Sequence, residues 1–552
     1  MTDYPLEHRT VGHVLADKAR RHGGRPFLTF DGERVSYEAL HVRTNRLANG
    51  LARLGVGKGD HVALLLHNTA DLLLLELALG KLGAVAVPVN AAARGDLLRY
   101  FLTQSASSLV VVDAEFVDRI RELGDGLPAV RAVVVRGGDD GGRRAPGGQR
   151  AIPVDESGLR AVEGKPTVPL RELAADSDAT PTHTVHFHDP HYILYTSGTT
   201  GRSKGVMVCQ AHGFGVAEVF SRHVPLAPSD VFYTCLPLFH ANAIWNTCYT
   251  ALWNDASVAL SRRFSASRLW DEIRAAGATQ FTALGSMIHL IWNQPARPDD
   301  AENPVRLCFT VPTPPAFIRE FEARFQLGVV TWFSMTENFP ITLYVPGDPP
   351  EKMASIGRPR GDADVRVVDD DDVEVPPGEV GELVFRPAEP WRVMLGYYEL
   401  DAATLANNRN LWFHTGDRVR ADEDGWLWYV DRKKDSIRRR GENISAWELE
   451  SIIGQHPAVS AVAAIAVPSE MAEDEVMVYV VPRDGERLTA EEIIRFCGGR
   501  MPYFMVPRYV DFIDELPRTP TEKVEKYKLR ARARATLPRV WDRERAGMRI
   551  SR

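Results

Sequence analysis

Residues 192–208 read YILYTSGTTGRSKGVMV, in which two apolar strand patterns enclose a turn rich in Thr, Ser and Gly. Gly198 and Gly201 let the backbone curl, so that successive N–H groups can converge on an anion. The hydroxyl groups of the turn add hydrogen-bond donors, and Lys204 adds a positive charge. Because these groups are concentrated in one turn, the stretch predicts a site for a polyphosphate.

The spacing of this turn differs from that of a P-loop. A Walker A motif requires four residues between its first glycine and a Gly-Lys-Ser/Thr triplet. Here Lys204 is preceded by Ser203 and followed by Gly205. The sequence therefore disfavours a P-loop NTPase, while the expectation of bound phosphates remains.

The composition is typical of a globular protein. Of the 552 residues, 44% are hydrophobic and 25% are charged, and the formal net charge is −7. The length predicts about three or four folding units. A mildly acidic chain lacks the basic field that nucleic-acid binding usually needs, so we expect no nucleic-acid partner.

Several features favour a cytoplasmic location. The first ten residues lack the pattern of a secretory signal. The five cysteines are scattered and form no C-x-x-C pair, which argues against a disulfide framework or a zinc site. The apolar stretch from Leu72 to Val89 contains Glu76 and Lys81, so it predicts a buried helix and strand and no membrane span.

Helical and strand patterns alternate up to about residue 135 and again from Ile193 to about Ile341, which predicts a layered α/β fold with parallel strands. Short strand patterns between 365 and 430 predict a small β-rich subdomain. We therefore expect an α/β protein with a large N-terminal domain over residues 1–430 and a smaller, mobile α+β domain over residues 431–552. No internal repeat is visible in the sequence.

Three polar segments are predicted to be solvated surface. Residues 137–165 are rich in Gly and charge and lack periodicity, which indicates a loop or insertion. The four aspartates at 369–372 lack the spacing of an EF-hand and indicate a hairpin turn. The basic residues from Lys523 onward indicate a surface helix.

Six further motifs follow the phosphate turn. They are PLFH (237–240), SMTEN (334–338), HTGD (414–417), DRKKD (431–435), GENIS (441–445) and PRTPTEKVEK (517–526). Together with the turn, they closely resemble the signatures of the adenylate-forming superfamily of acyl-CoA synthetases, peptide-synthetase adenylation domains and luciferases. Residues 438–450 and 495–518 look most like the crotonobetaine/carnitine-CoA ligase type.

The resemblance implies a two-step reaction. A carboxylic acid attacks the α-phosphate of ATP and expels pyrophosphate, and the CoA thiolate then displaces AMP from the acyl-adenylate. The expected cofactors are ATP or a supplied acyl-AMP, CoA and Mg²⁺. Phosphoryl transfer of this kind depends on positioning and on neutralisation of charge.

The resemblance also implies roles for individual residues on the nucleotide side. Glu337 would hold Mg²⁺, and Thr336 would lie near the α-phosphate. Asp417 would accept hydrogen bonds from the ribose hydroxyls, and Arg432 would add a ribose or phosphate contact. The β- and γ-phosphates would be bound by Thr196, Ser197, Gly198, Thr199, Thr200, Gly201 and Lys204.

Four residues would serve the acyl and thiol chemistry. His240 would lie beside the acyl carboxylate and the route of the thiol. Gly441 would let pantetheine pass close to the backbone, because any side chain would narrow that passage. Lys523 would bridge the carboxylate and the α-phosphate during adenylation. Lys434 would be the hinge about which the C-terminal domain rotates between the half-reactions.

The expected acyl pocket is wide and mostly apolar. The small residues Ala283, Gly285 and Ser286 would leave room, which favours a bulky, mostly hydrophobic acid. The residues that we expect to line it are Trp245, Gly285, Phe309, Met335 and Phe339, with Asn242 and Asn338 as candidates for orienting hydrogen bonds.

Three departures from the family pattern affect the ATP side. Glu522 stands where the family has a glycine before the lysine, Phe333–Ser334 replaces Tyr-Gly, and residues 309–316 contain three prolines. These changes predict that adenylation is weakened or lost and that a separate adenylating enzyme supplies the acyl-AMP. Three alternatives remain open: a complete ligase, an adenylating enzyme that loads a carrier protein, and a degenerate nucleotide-binding regulator.

Overall fold

The protein is described by a computed structural model. The described residues are 4–93, 95–137, 164–174, 176–196, 203–432, 436–439, 442–468, 474–498, 500, 501, 503, 505–519 and 523–550. The chain forms two compact units. The first contains residues 1–196, 204–364 and 386–406, and the second contains residues 197–203, 365–385 and 407–552. The domain boundary predicted between residues 430 and 431 stays a prediction.

The predicted alternation of helices and strands is confirmed. The helices are α1 (Val11–His22), α2 (Tyr37–Arg53), α3 (Ala70–Leu82), α4 (Gly95–Gln104), α5 (Val117–Arg121), α6 (Leu170–Ala174), α7 (Gln210–His223), α8 (Thr250–Trp253), α9 (Leu269–Ala276), α10 (Gly285–Trp292), α11 (Ile318–Phe325), α12 (Asp401–Asn407), α13 (Ala446–Ile453), α14 (Ala490–Cys497) and α15 (Lys526–Thr536).

The strands of the first unit lie in two large sheets. In chain order they are β1 (Pro26–Phe30), β2 (Glu33–Ser36), β3 (His61–Leu65), β4 (Val85–Pro88), β5 (Leu109–Asp113), β6 (Ala132–Arg136), β7 (Thr167–Pro169), β8 (Pro190–Thr196), β9 (Lys204–Cys209), β10 (Val231–Thr234), β11 (Ser257–Leu260), β12 (Gln280–Leu284), β13 (Leu307–Val311), β14 (Gly328–Phe333), β15 (Thr342–Tyr344) and β16 (Arg358–Pro359).

The remaining strands lie mainly in the second unit. They are β17 (Ala363–Val368), β18 (Val380–Pro387), β19 (Gly396–Tyr397), β20 (Phe413–Ala421), β21 (Leu427–Arg432), β22 (Ser436–Arg439), β23 (Glu442–Ser445), β24 (Val459–Pro468), β25 (Asp474–Pro482), β26 (Tyr509–Phe512) and β27 (Trp541–Asp542). Of these, β19 pairs with β9 in the first unit.

The two large sheets repeat one arrangement. One has the order β16-β15-β14-β13-β12-β10-β11-β1-β2, and the other has the order β19-β9-β8-β4-β3-β5-β6-β7. In each sheet, five parallel strands follow the doubly wound order 2-1-3-4-5, as β11-β10-β12-β13-β14 and as β4-β3-β5-β6-β7. The order reverses between β10 and β12 and between β3 and β5. Ligands of open α/β sheets bind at the carboxyl edge of such a reversal.

The two halves of this unit exchange hairpins. Strand β1 lies parallel to β11 and antiparallel to β2, so the first hairpin of the chain completes the later sheet. Strand β8 lies parallel to β4 and antiparallel to β9, so the hairpin that precedes the second half completes the earlier sheet. The fold therefore contains an internal repeat that the sequence does not reveal.

Continuous apolar stretches form the interior because helices cover both faces of parallel sheets. Every residue of α3 from Leu72 to Leu82 is buried, and β4 follows it, as the sequence predicts. Among the residues that the structure describes, no helix combines the length and apolar character needed to cross a membrane.

The described residues of the second unit form two antiparallel or mixed sheets and a two-stranded ribbon. The sheets have the orders β17-β18-β20-β21 and β24-β25-β26-β27, and β22 pairs with β23. Helix α15 buries Leu529 and Ala533, one turn apart, and carries its basic residues on the other faces. The predicted loop at 137–165 falls, from 138 to 163, outside the described residues.

Glu76 is a fully buried carboxyl group in the middle of α3. Neither of its carboxyl oxygens has a hydrogen-bond partner among the described residues. Burial therefore raises the pKa of Glu76 well above its ordinary value of 4.5. The folded protein therefore favours the protonated form of this carboxyl.

The substitution Glu76→Gln should remove a pH-dependent loss of stability. Above pH 4.5 the unfolded chain releases the Glu76 proton while the folded chain retains it, so the wild-type stability falls as the pH rises. A carboxyl that is protonated in the folded chain and ionised in the unfolded chain costs the wild type about 1.4 kcal/mol per pH unit relative to the variant. Thermal unfolding midpoints of the two proteins should therefore diverge as the pH rises above 4.5.

The control is Glu38→Gln, which neutralises an exposed glutamate in α2. Its midpoint should differ from that of the wild type by a constant amount over this pH range. A constant difference for Glu76→Gln as well would contradict the assignment.

Candidate functional site

The predicted phosphate turn joins two paired strands. Thr196 at the end of β8 lies opposite Lys204 at the start of β9, and the Thr196 hydroxyl donates to the Lys204 carbonyl oxygen at 3.4 Å. Residues Ser197, Gly198, Thr199, Thr200 and Gly201 lie outside the described part of the chain. The hairpin therefore fixes both ends of the turn side by side.

Lys204 and Glu337, predicted from separate motifs, meet through a third residue. The Lys204 ammonium lies 4.5 Å from the centre of the Tyr397 ring. The Tyr397 hydroxyl donates a hydrogen bond of 2.7 Å to Oε1 of Glu337. The expected phosphate ligand and the expected metal ligand are thus held by the same aromatic side chain.

Sequence reasoning missed Tyr397. It lies in β19, which pairs with β9 so that Tyr397 is opposite Val206. Its backbone N–H donates to the Thr404 hydroxyl at 2.9 Å. Gly396 before it has φ +143° and lies against Thr404, so a side chain there would be strained. The pair Gly-Tyr after an apolar stretch was the available signal, but its pairing with a strand far away in sequence could not be read.

The Glu337 carboxylate fits a magnesium ion. It is only 5% exposed, and its backbone oxygen accepts a hydrogen bond of 2.8 Å from the Met394 N–H. With one hydrogen bond from Tyr397, the carboxylate keeps lone pairs for a cation. Mg²⁺ typically takes one or two carboxylates together with phosphate oxygens.

A tight turn positions Thr336 and Glu337. The Asn338 side-chain oxygen accepts from the Met335 N–H at 2.6 Å, and the Asn338 N–H donates to the Met335 carbonyl oxygen at 3.3 Å. The turn leaves Thr336 half-buried, while Glu337 is buried.

His240 and Gly285 follow neighbouring strands at the reversal of strand order. His240 comes after β10, and its ring packs against Phe239 with 4.5 Å between ring centres. Gly285 comes after β12, and a Cβ there would lie 2.6 Å from the Pro312 carbonyl oxygen, so only glycine fits. Both predicted residues therefore lie at the carboxyl edge where ligands of such sheets bind.

Most of the residues that were predicted to line the acyl pocket are buried in the hydrophobic core. Residues Asn242–Tyr249 form a π-helix, a rare conformation that is frequent at functional sites. Trp245 within it is 1% exposed, as is Phe339. Phe309 packs against Phe220 at 5.5 Å and Trp332 at 6.2 Å between ring centres, and Met335 is half-buried.

The second unit carries the remaining predicted residues. Asp417 in β20 is 3% exposed, its N–H donates to the Thr415 hydroxyl at 3.1 Å, and its backbone is paired with that of Arg432. Lys523 is exposed, and its N–H donates to the Thr519 hydroxyl at 3.2 Å. The side chain of Arg432 and the residues Lys434, Gly441 and Glu522 lie outside the described part of the chain.

Comparison with known families defines the class of protein. The profile of the AMP-binding enzyme family matches residues 15–398, and that of the AMP-binding enzyme C-terminal domain matches residues 448–523. The chain belongs to the AMP-binding enzyme family, which confirms the resemblance to adenylate-forming enzymes. Its class is that of the AMP-forming acid–thiol ligases, which use ATP and CoA.

The relatives include CoA ligases. The crotonobetaine/carnitine–CoA ligase of Salmonella paratyphi A is 30% identical over 529 residues, covering 93% of this chain and 97% of the relative. ATP-bound MatB from Rhodopseudomonas palustris has a TM-score of 0.80 at 26% identity, covering 95% of this chain and 99% of its own. The anthranilate CoA ligase AuaEII, in complex with anthranoyl-AMP, has a TM-score of 0.84 at 23% identity, covering 98% and 100%.

The substitution Tyr397→Phe should weaken metal–nucleotide binding. It deletes the hydroxyl that orients Glu337 and keeps the ring beside Lys204. We expect the Mg²⁺ concentration for a half-maximal thermal shift with ATP to rise roughly tenfold, or about 1.4 kcal/mol. The control is Tyr398→Phe. An unchanged midpoint in Tyr397→Phe, or no effect of ATP on the wild type, would contradict the role given to Tyr397.

Proposed function

We propose that this protein makes the CoA thioester of a bulky carboxylic acid through an acyl-adenylate, and that its own adenylation step is weakened or lost. The observation that carries the proposal is the chain of contacts from Lys204 through Tyr397 to Glu337. It joins a cation suited to phosphate with a carboxylate suited to Mg²⁺, next to the strand edge that carries His240 and Gly285.

In the first half-reaction, a carboxylate oxygen of the acid attacks the α-phosphate, and pyrophosphate leaves. Lys204 and the phosphate turn would neutralise the leaving group, and Thr336 would contact the α-phosphate. The Glu337 carboxylate would hold Mg²⁺, which supplies further charge neutralisation when bound.

In the second half-reaction, the CoA thiol loses its proton and the thiolate attacks the acyl carbon, so AMP leaves with the bonding electrons. His240 would line the route of the thiol. The proposed C-terminal domain would rotate about Lys434 between the half-reactions. This rotation would replace Lys523 at the reaction centre with the Gly441 segment, because the same domain must serve both adenylation and thioester formation. Asp417 and Arg432 would bind the ribose.

Three features support weak adenylation. Glu522 places a carboxylate next to Lys523, where it can pair with the ammonium and repel phosphate. Ser334 replaces the expected glycine, and its hydroxyl accepts a hydrogen bond of 2.9 Å from the Trp332 indole N–H. The prolines of 309–316 remove backbone donors. A separate adenylating enzyme would then supply the substrate.

Two reactions run side by side test the proposal. One contains acid, ATP, Mg²⁺ and CoA, and the other contains the synthetic acyl-AMP and CoA. We expect the second reaction to form acyl-CoA at least tenfold faster than the first. Rapid pyrophosphate release from acid and ATP would contradict the loss of adenylation. Transfer to a carrier protein with none to CoA would favour the carrier-loading alternative.

Variants of Glu522 test whether this residue causes the weak adenylation. Glu522→Gly should raise pyrophosphate release from acid and ATP at least tenfold and leave thioester formation from acyl-AMP unchanged. Glu522→Gln removes only the charge and should give part of this gain. Glu525→Gln, which neutralises a nearby carboxylate that pairs with Lys528, is the control. Equal rates in all four proteins would exclude Glu522 as the cause.

A further inference from the structure

Three residues near the predicted acyl pocket each have a buried polar atom without a hydrogen-bond partner among the described residues. They are His212, through the ring nitrogen that does not face the Asn338 backbone, Trp245, through its indole Nε1, and Asn338, through its side-chain nitrogen. Each of these residues is only 1% exposed. The sequence predicted Trp245 and Asn338 as pocket residues, whereas His212 lies in no motif that predicted a role for it.

The three groups belong to one cluster centred on His212. The His212 ring in α7 meets the Trp245 ring edge-on, with 4.7 Å between ring centres. The backbone of Asn338 accepts a hydrogen bond from the same imidazole, which leaves the other ring nitrogen of His212 for a ligand. Trp245 is in the π-helix that follows His240, and Asn338 directly follows Glu337. The cluster therefore adjoins both segments that would hold the reacting acid.

Unpaired polar groups in the interior are costly. A buried donor or acceptor without a partner costs about 1–3 kcal/mol. Native proteins satisfy nearly all such groups, so a cluster of them calls for a ligand or an ordered water molecule. Their hydrogen-bonding capacity identifies the ligand chemistry that would fit.

The cluster offers mainly donors. The Trp245 indole can only donate, and the Asn338 amide nitrogen also donates. Burial, with a contribution from the Arg392 charge, lowers the pKa of His212 to about 3, so its imidazole is neutral and has one N–H and one lone pair. An oxygen atom can accept from the donors, and a hydroxyl can also donate to the imidazole.

The charge of Arg392, which acts on His212, is already paired. The Arg392 guanidinium donates to the Gly215 carbonyl oxygen at 2.7 Å and to Glu218 and Glu389. Glu218 also pairs with Arg9 at 2.7 Å. Because these charges already neutralise one another, Arg392 is not available to compensate a second carboxylate on the acid, which would then be buried without a partner.

We propose that His212, Trp245 and Asn338 bind a neutral oxygen substituent of the acyl group, a hydroxyl or a carbonyl, in addition to the reacting carboxylate. This inference rests on the proposed function and narrows its substrate class from a bulky hydrophobic acid to a bulky acid with one such substituent. A site built to hydrogen-bond a hydroxyl discriminates strongly against analogues that lack it, because its own polar groups are then left unpaired.

Matched acids test the inference in the wild-type protein. Benzoic and cinnamic acids carrying a hydroxyl or a methyl group at the same ring position are converted to acyl-AMP and to the non-hydrolysable acyl-sulfamoyl adenosine. We expect at least one hydroxyl compound to give a larger thermal shift than its methyl partner and to form its CoA thioester at least tenfold faster. A preference for methyl, or equal rates at every position, would overturn the inference.

Substitutions in the cluster give a second measurement. His212→Phe and Trp245→Phe should each lower the hydroxyl-to-methyl ratio of kcat/KM at least fivefold. Trp253→Phe, which replaces a buried tryptophan of α8 outside the cluster, should keep the wild-type ratio. An unchanged ratio in both cluster variants would overturn the inference. If either variant fails to fold, the comparison of hydroxyl and methyl acids in the wild-type protein still tests the inference.

The outcomes separate the inference from the proposed function. Conversion of both members of each pair with a preference for methyl would leave a CoA ligase with an apolar pocket, and water would then satisfy the cluster. Failure of every acyl-sulfamoyl adenosine to bind, with no thioester formed, would overturn the inference and the proposed function together.

Discussion

The antiparallel pairing of β8 with β9 is the constraint on which the candidate site depends. It brings Thr196 and Lys204 together at the two ends of the phosphate turn, and it gives β9 a free edge on which β19 pairs. That second pairing places Tyr397 between Lys204 and Glu337. A purely local hairpin therefore organises residues from three separate regions of the chain. The backbone hydrogen bonds position the strands, and the side chain of Tyr397 then contacts both Lys204 and Glu337.

The sequence predicted the kinds of elements well and their partners poorly. Apolar stretches such as that of α3 and β4 are long and uniform, because both faces of a parallel sheet are covered, and this pattern is readable. The exchange of β1–β2 and β8–β9 between the sheets has no local pattern, because a strand needs the same residues whichever sheet it joins. The repeated strand order of the two parallel sheets was not visible in the sequence either.

Candidate site residues could be named where a motif carries the chemistry. Lys204, Glu337 and His240 were proposed because Gly-rich, acidic and histidine-containing motifs have distinct spacings, and the structure joins Lys204 and Glu337 through Tyr397. Tyr397 and His212 were missed because a lone Tyr in a β-strand or a lone His in an apolar helix is usually a core residue. Only the tertiary contacts indicate that Tyr397 contacts a carboxylate and that His212 has a ring nitrogen without a partner among the described residues.

The exchanged hairpins also affect how the chain is made. Strand β1 ends at Phe30, whereas its parallel neighbour β11 begins at Ser257. At about 5–20 residues per second, a ribosome finishes β11 on the order of ten to fifty seconds after β1. During that interval the β1–β2 ribbon has an open edge whose backbone groups are unpaired, and such edges invite association with other nascent chains. Because the two halves share strands, the nascent chain exposes the unpaired edge of the β1–β2 ribbon until its later half has been synthesised.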